Sequence, residues 1–111
     1  MAKLIRKITQ FSPREIDSLW KRARRVVRHA GLDLLKAPRS GEIARILMVI
    51  PKRVGNAPTR NKLRRQIRHL FYENNLFNGD SDWIVIARPG ASEIPFATLQ
   101  DLFAQAEKKS T

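Results

Sequence analysis

The chain has no cysteine, so disulfides and thiolate metal sites are excluded and the fold must hold by packing alone. Histidine is nearly as scarce. His29 and His69 are the only side chains with ordinary pKa values near neutrality, neither stands at a metal-ligand spacing, and both are expected as polar surface or interface residues. There is no glycine-rich phosphate loop, no G-x-S-x-G and no thiol nucleophile, so catalysis borne by the protein itself is not expected. Asp80 and Asp82 beside Gly79 could hold a hydrated divalent ion, but an acidic turn is the simpler reading and no metal site is assigned. No apolar run approaches the roughly 18 residues needed to span a membrane. The opening MAKLIRKITQFSPRE lacks the continuous apolar segment and small-residue cleavage site of a secretory signal. A cytoplasmic chain without a membrane partner is the expectation.

Acid is missing where base is densest. The 111 residues carry a formal charge of +12, and the pI of the sequence is about 11.3. Residues 1–72 hold 19 Lys and Arg against 4 Asp and Glu, whereas residues 73–111 hold 3 against 6. Such a balance points to a polyanion, nucleic acid before membrane, bound by the first two thirds of the chain. The length suits one domain, read as a single RNA-binding unit over 1–111 with a loosely ordered basic arm over 1–11. The densest stretch is GNAPTRNKLRRQIRHLF (55–71), where Arg60, Lys62, Arg64, Arg65 and Arg68 fall within nine positions with no acid among them. On a helix, Leu63, Ile67, Leu70 and Phe71 line one face and the cations sweep the rest. Like charges at i, i+4 destabilise a helix by a few tenths of a kcal/mol per pair. An ordinary solvated face would intersperse glutamate, so this one is read as prepared for a polyanion.

The remaining signals outline a small α+β fold. Ser12, Pro13 and Glu15 spell a capped helix start, and Ile16, Leu19, Trp20 and Ala23 continue one face of a helix ending near residue 24. LDLL before Pro38 suits a strand, PRSGE (38–42) a turn, and IARILMVI (43–50) a buried strand. Residues 51–58 form a loop in which Gly55 can take positive φ and Asn56 can cap the helix that runs to about Asn75. NGDSD (78–82) turns the chain, WIVIA (83–87) is a second buried strand, and Ile94–Glu107 is the last helix, with Leu99, Leu102, Phe103 and Ala106 at core spacing. The order α-β-β-β-α-β-α gives a small mixed sheet packed with about three helices.

With KRVGNAPTRNKLRRQIRHLF the chain resembles the protein component of bacterial ribonuclease P, whose hallmark is a basic strand-exit loop followed by an Arg-Asn-Arg helix. Here the hallmark reads Lys52, Arg53, Val54, Gly55, Asn56 and Ala57, then Arg60-Asn61-Lys62, then Arg64, Arg65 and Arg68. WIVIARPGA (83–91) and PREIDSLWKRARR are similar to the family's later strand and loop and to its N-terminal helix. Departures are Lys62 in place of the third arginine, which loses the planar bidentate fork, and Val49 and Pro51 where small polar residues are usual. Ile16 and Trp20 stand at usually aromatic positions and Leu34 stands for a tyrosine. The resemblance implies a left-handed β-α-β crossover and an accessory role in the Mg²⁺-dependent removal of the 5′ leader from precursor tRNA, with catalysis in a large RNA subunit. It implies RNA-subunit contacts from Lys52, Arg53, Asn56, Arg60, Asn61, Lys62, Arg64, Arg65 and Arg68. It also implies leader contacts from Ile16, Trp20, Leu34 and Arg88, and Mg²⁺ held mainly by RNA and substrate.

Two readings stay open for Trp20, a core position on its helix stripe or a stacking ring at a groove edge. Three rival functions stand beside the resemblance. A structural RNA-binding protein such as a small ribosomal protein would share the basic helix, but it would travel with ribosomal subunits. A DNA-binding module lacks a dimerisation pattern to set half-site spacing, so no DNA partner is expected. A protein nuclease would have to cut without any RNA subunit.

Overall fold

The computed structural model describes residues 2–109. Along the chain lie α1 (Ala2–Lys7), α2 (Pro13–Arg22), β1 (Arg24–Arg28), β2 (Leu32–Pro38), β3 (Ile46–Val49), α3 (Ala57–Glu73), β4 (Ser81–Ala87) and α4 (Phe96–Glu107). The strands form one mixed sheet in the order β1-β2-β4-β3. β1 with β2 and β2 with β4 are antiparallel, while β3 and β4 are parallel neighbours joined through α3. This is the expected α+β arrangement with one helix added in front.

Local chemistry accounts for the element ends. Ser12 and Glu15 close a reciprocal capping box, the Ser12 hydroxyl accepting from the Glu15 N–H at 3.2 Å and the Glu15 carboxylate from the Ser12 N–H at 2.9 Å. Helix α2 stops at Arg22 because the chain turns extended at Ala23 and becomes strand at once. Asn56 caps α3, its side-chain oxygen accepting from the Thr59 N–H at 3.0 Å. Gly55 is extended at φ 162°, so the expected positive φ is not its reason for being glycine. A Cβ there would stand 2.8 Å from Thr59 Cγ2, so close approach is what matters.

The sheet separates two apolar layers of unequal size. On one face Leu34, Ile46, Trp83 and Val85 pack with Leu63, Ile67 and Phe71 of α3 and Leu99 and Phe103 of α4. Trp83 stacks on Phe103 at 5.4 Å and meets Phe71 edge-on at 6.1 Å. Lys36, on this same face, is buried with its ammonium donating to the carbonyls of Ala106 (3.0 Å) and Lys109 (2.7 Å), which closes the C-terminal end of α4. On the other face α2 contributes only Leu19 to a small cluster with Ala37 and Ile84. Leu35, Leu47, Val49 and Ile86 stay half-buried around it.

Three expectations need correction. The segment expected as a loose arm over 1–11 contains α1, and Ile8 is fully buried in the main core with its carbonyl accepting the Ile46 N–H at 2.7 Å. The strand expected over 43–50 is paired only at Ile46–Val49; it is an edge strand, and three of its four residues are half-exposed. β4 begins at Ser81 rather than 83. Asp82 is fully buried at its start, accepting from the Arg45 N–H at 2.9 Å and lying 3.4 Å from both the N–H and hydroxyl of Ser40.

Candidate nucleic-acid interface

Helix α3 sorts its residues as the spacing requires. Leu63, Ile67, Leu70 and Phe71 are buried, Asn61, Lys62 and Arg65 are exposed, and Arg60, Arg64 and Arg68 are half-exposed along the flanks. Arg60 Nε donates to the Gly55 carbonyl at 3.1 Å, and Arg64 donates to the Asn61 side-chain oxygen at 2.9 Å, which orients both guanidinium groups. Among the described residues none of these cations forms an ion pair with an acid. Cations in the first turns oppose the helix dipole and add to the positive potential of the N-terminal end. Lys52 and Arg53 are exposed in the 3-10 turn that joins β3 to α3, so their charge continues that of the helix.

The second half of the site is the open sheet face beside α2. Trp20 is 41% exposed, the large exposed hydrophobic among the described residues, so the core reading fails for it. Ile16 is half-buried one turn before it on the same stripe, and the buried member of that helix is Leu19. Leu34 does not reach this face. It is fully buried against the α3–α4 layer, and its neighbour Leu35 points to the groove instead. A strand alternates faces every residue, so an assignment one position off moves the side chain through the sheet. The signal that finds Leu35 is register. Leu35 pairs with Ile84 and Asp33 with Ile86, which puts them in rows with Leu47 and Val49.

Arg88 follows β4 and is held rather than free. Its guanidinium donates to the His29 carbonyl, to the Ala30 carbonyl at 3.2 Å and to Asp33, with nitrogen–oxygen distances of 3.1 and 3.0 Å to the two carboxylate oxygens. The hydrogen bond from Arg88 holds the Asp33 carboxyl below its ordinary pKa, with Arg25 and Arg28 adding charge, and the same contact raises Arg88. The Arg88 side chain keeps 34% of its surface exposed, so it presents charge at the end of the groove from a fixed position. His29 is a turn residue here, its Nδ1 accepting the Gly31 N–H at 3.0 Å, and exposed His69 lies against Phe96. Among the described residues no three acidic or histidine side chains converge as a metal site. Among the described residues no helix is long and apolar enough to cross a membrane.

A cation-rich helix and loop on one side of the sheet and a half-apolar face with an exposed indole on the other define a polyanion-binding α+β protein, suited to RNA because phosphates and unpaired bases are offered separate surfaces. The model of the Ribonuclease P family matches residues 6–110, and the chain belongs to that family. It is 38% identical over 56 residues to a ribonuclease P protein component of Streptococcus mutans, covering 50% of this chain and 47% of that one. It is 38% identical over 77 residues to the Bacillus pumilus component, covering 65% and 64%. The chain thus spans about half to two thirds of the length of these relatives. The RNase P proteins of Staphylococcus aureus (TM-score 0.74, 22% identity, 91% and 93% covered) and Thermotoga maritima (TM-score 0.72, 21% identity, 92% and 98% covered) share the fold. Membership in this family removes the ribosomal-protein reading.

Proposed function

We propose that the chain is the protein subunit of a ribonuclease P ribonucleoprotein. In this reading α3 and its preceding loop bind the catalytic RNA through Lys52, Arg53, Asn56, Arg60, Asn61, Lys62, Arg64, Arg65 and Arg68. The face between α2 and the sheet holds the single-stranded 5′ leader of precursor tRNA, with Trp20 and Ile16 above and Leu35 as the floor residue in place of Leu34. Arg88 closes the end of that face. The carrying observation is that one small sheet bears an acid-free arginine helix on one face and, on the other, an open half-apolar surface with a 41% exposed indole. Mg²⁺ bound by RNA and substrate would supply the hydrolytic chemistry; the protein's residues position phosphates and bases. The cytoplasm is the compartment this role implies.

Reconstitution with a bacterial ribonuclease P RNA at low Mg²⁺ tests the reading. The protein should restore 5′ maturation of precursor tRNA, and RNA-free protein should leave the substrate intact. In the same assay Trp20→Ala should weaken binding of precursor tRNA about tenfold, the low end of a stacking contribution. Affinity for mature tRNA should hardly change. Cleavage by rigorously RNA-free protein, or no stimulation of the RNA, would overturn the proposal.

A further inference from the structure

Strand β1 reads RRVVR at the outer edge of the sheet, and its pairing with β2 contains a bulge between Arg25 and Val27. In an unbroken strand, positions three apart face opposite ways. The extra residue removes that alternation, so Arg25 pairs with Leu35 and Arg28 with Asp33, two positions on one face. Val27 is left paired with Leu34 and buried in the main core. Followed across the sheet, two rows emerge on the face that α2 covers only in part. One runs Arg28, Asp33, Ile86, Val49; the other runs Arg25, Leu35, Ile84, Leu47. Each row starts at an arginine on β1, crosses half-apolar ground and ends on β3, whose C-terminal end leads to Lys52 and Arg53.

The charge on this edge exceeds what the fold uses. Asp33 is the acid within reach, and Arg88 already takes both of its oxygens. Arg25 lies 3.7 Å from that carboxylate with its side chain 46% exposed, and Arg28 is exposed with no hydrogen-bond partner among the described residues. Charged residues on an edge strand discourage strand pairing with other molecules, but that purpose does not require both arginines on the groove face.

We propose that Arg25 and Arg28 form a second phosphate-binding bank of the groove, so that a single RNA strand crosses the sheet from β3 to β1 with phosphates held at both ends and bases over the apolar middle. The occupant is the 5′ leader, and the inference rests on the proposed leader-binding role. Three strand spacings separate β1 from β3, about 14 Å, so the far bank is reached only by a leader longer than a short stub.

The test uses holoenzyme reconstituted with ribonuclease P RNA and compares mature tRNA with precursors carrying a short and a long leader. In the native holoenzyme the long leader should bind more tightly than the short one. In Arg25→Ala/Arg28→Ala that advantage should fall about tenfold, as two charge-assisted contacts allow. The slope of log affinity against log salt for the long leader should flatten by about 1.4, two single-strand phosphates. Arg25→Lys/Arg28→Lys should retain most of the advantage. Arg24→Ala should change nothing, because Arg24 pairs with Lys36 on the opposite face. Melting temperatures of all variants check that the sheet edge is intact. An unchanged long-leader advantage in the alanine variant overturns the second bank and leaves the groove reading standing. An equal loss for mature tRNA also overturns it, since the arginines would then face the tRNA body or the RNA subunit. If the native holoenzyme draws nothing from leader length, the groove reading itself fails.

Discussion

Arg45 ties the segment before α2 to the start of β3 with one guanidinium. It pairs with Glu15 at 2.7 Å, donates to the Gln10 carbonyl at 2.8 Å and lies 4.5 Å from the centre of the Phe11 ring. Its Nε is buried without a partner in the described structure, so its position is set by the terminal nitrogens and the ring. Glu15 feels this strongly. The hydrogen bond from Arg45, then the Ser12 N–H, lower its pKa to about 2. A carboxyl with a folded pKa below its unfolded value of about 4.3 stabilises fully at higher pH and loses that contribution as pH falls through the folded value. Glu15→Gln should therefore lower the melting temperature at neutral pH. The gap from the native chain should shrink below about pH 4.3 and close near pH 2. Thermal unfolding across that range, native against variant, checks it. A gap that persists unchanged at the acid end would mean that the capping geometry, and not the carboxylate charge, holds this corner.

Helix α3 is the element on which sequence and structure agree most closely. Its 3.6-residue spacing puts Leu63, Ile67, Leu70 and Phe71 at 2% exposure or less and leaves the cations outside, because a long amphipathic helix has only one face it can bury. Arg64→Ala and Arg65→Ala should keep the fold and weaken binding to the RNA subunit. Each lost phosphate contact should flatten the log-affinity slope against log salt by somewhat under 1. Circular dichroism with salt-titrated binding decides this, and an unchanged slope in both variants would reduce these arginines to a solvated surface. Strands were less legible for a physical reason. Leu34 and Leu35 are chemically identical in the sequence, and only pairing with Val85 and Ile84 tells which one faces the groove. The bulge that brings Arg25 and Arg28 to one face leaves no mark in the sequence, because it is a property of two strands together. IARILMVI is apolar enough for a central strand, yet it lies at the edge because β4 inserts beside β2 after the α3 crossover. Trp20 kept two readings for the same reason, since a helix stripe does not say how far the sheet beneath it extends.

At the scale of the whole molecule the net charge of +12 sets two salt dependences of opposite sign. The folded chain measures 33 × 27 × 26 Å. At about 0.01 M salt the screening length is roughly 30 Å, so nearly every pair of like charges is felt; at about 0.1 M it is roughly 10 Å and only neighbours interact. Compaction of so basic a chain concentrates repulsion that the unfolded chain spreads out. Raising sodium chloride across that range should therefore raise the melting temperature of the free protein while weakening its binding to RNA, where displaced counterions govern affinity. Replacing Arg64 and Arg65 with glutamine should diminish both trends together, because those arginines contribute repulsion in the free protein and attraction in the complex. Melting curves and RNA titrations on the same salt series measure the two slopes. A melting temperature that falls with salt would show that the local pairs Arg45–Glu15 and Arg88–Asp33 outweigh the global repulsion. The arginine excess would then carry no folding cost for RNA to relieve.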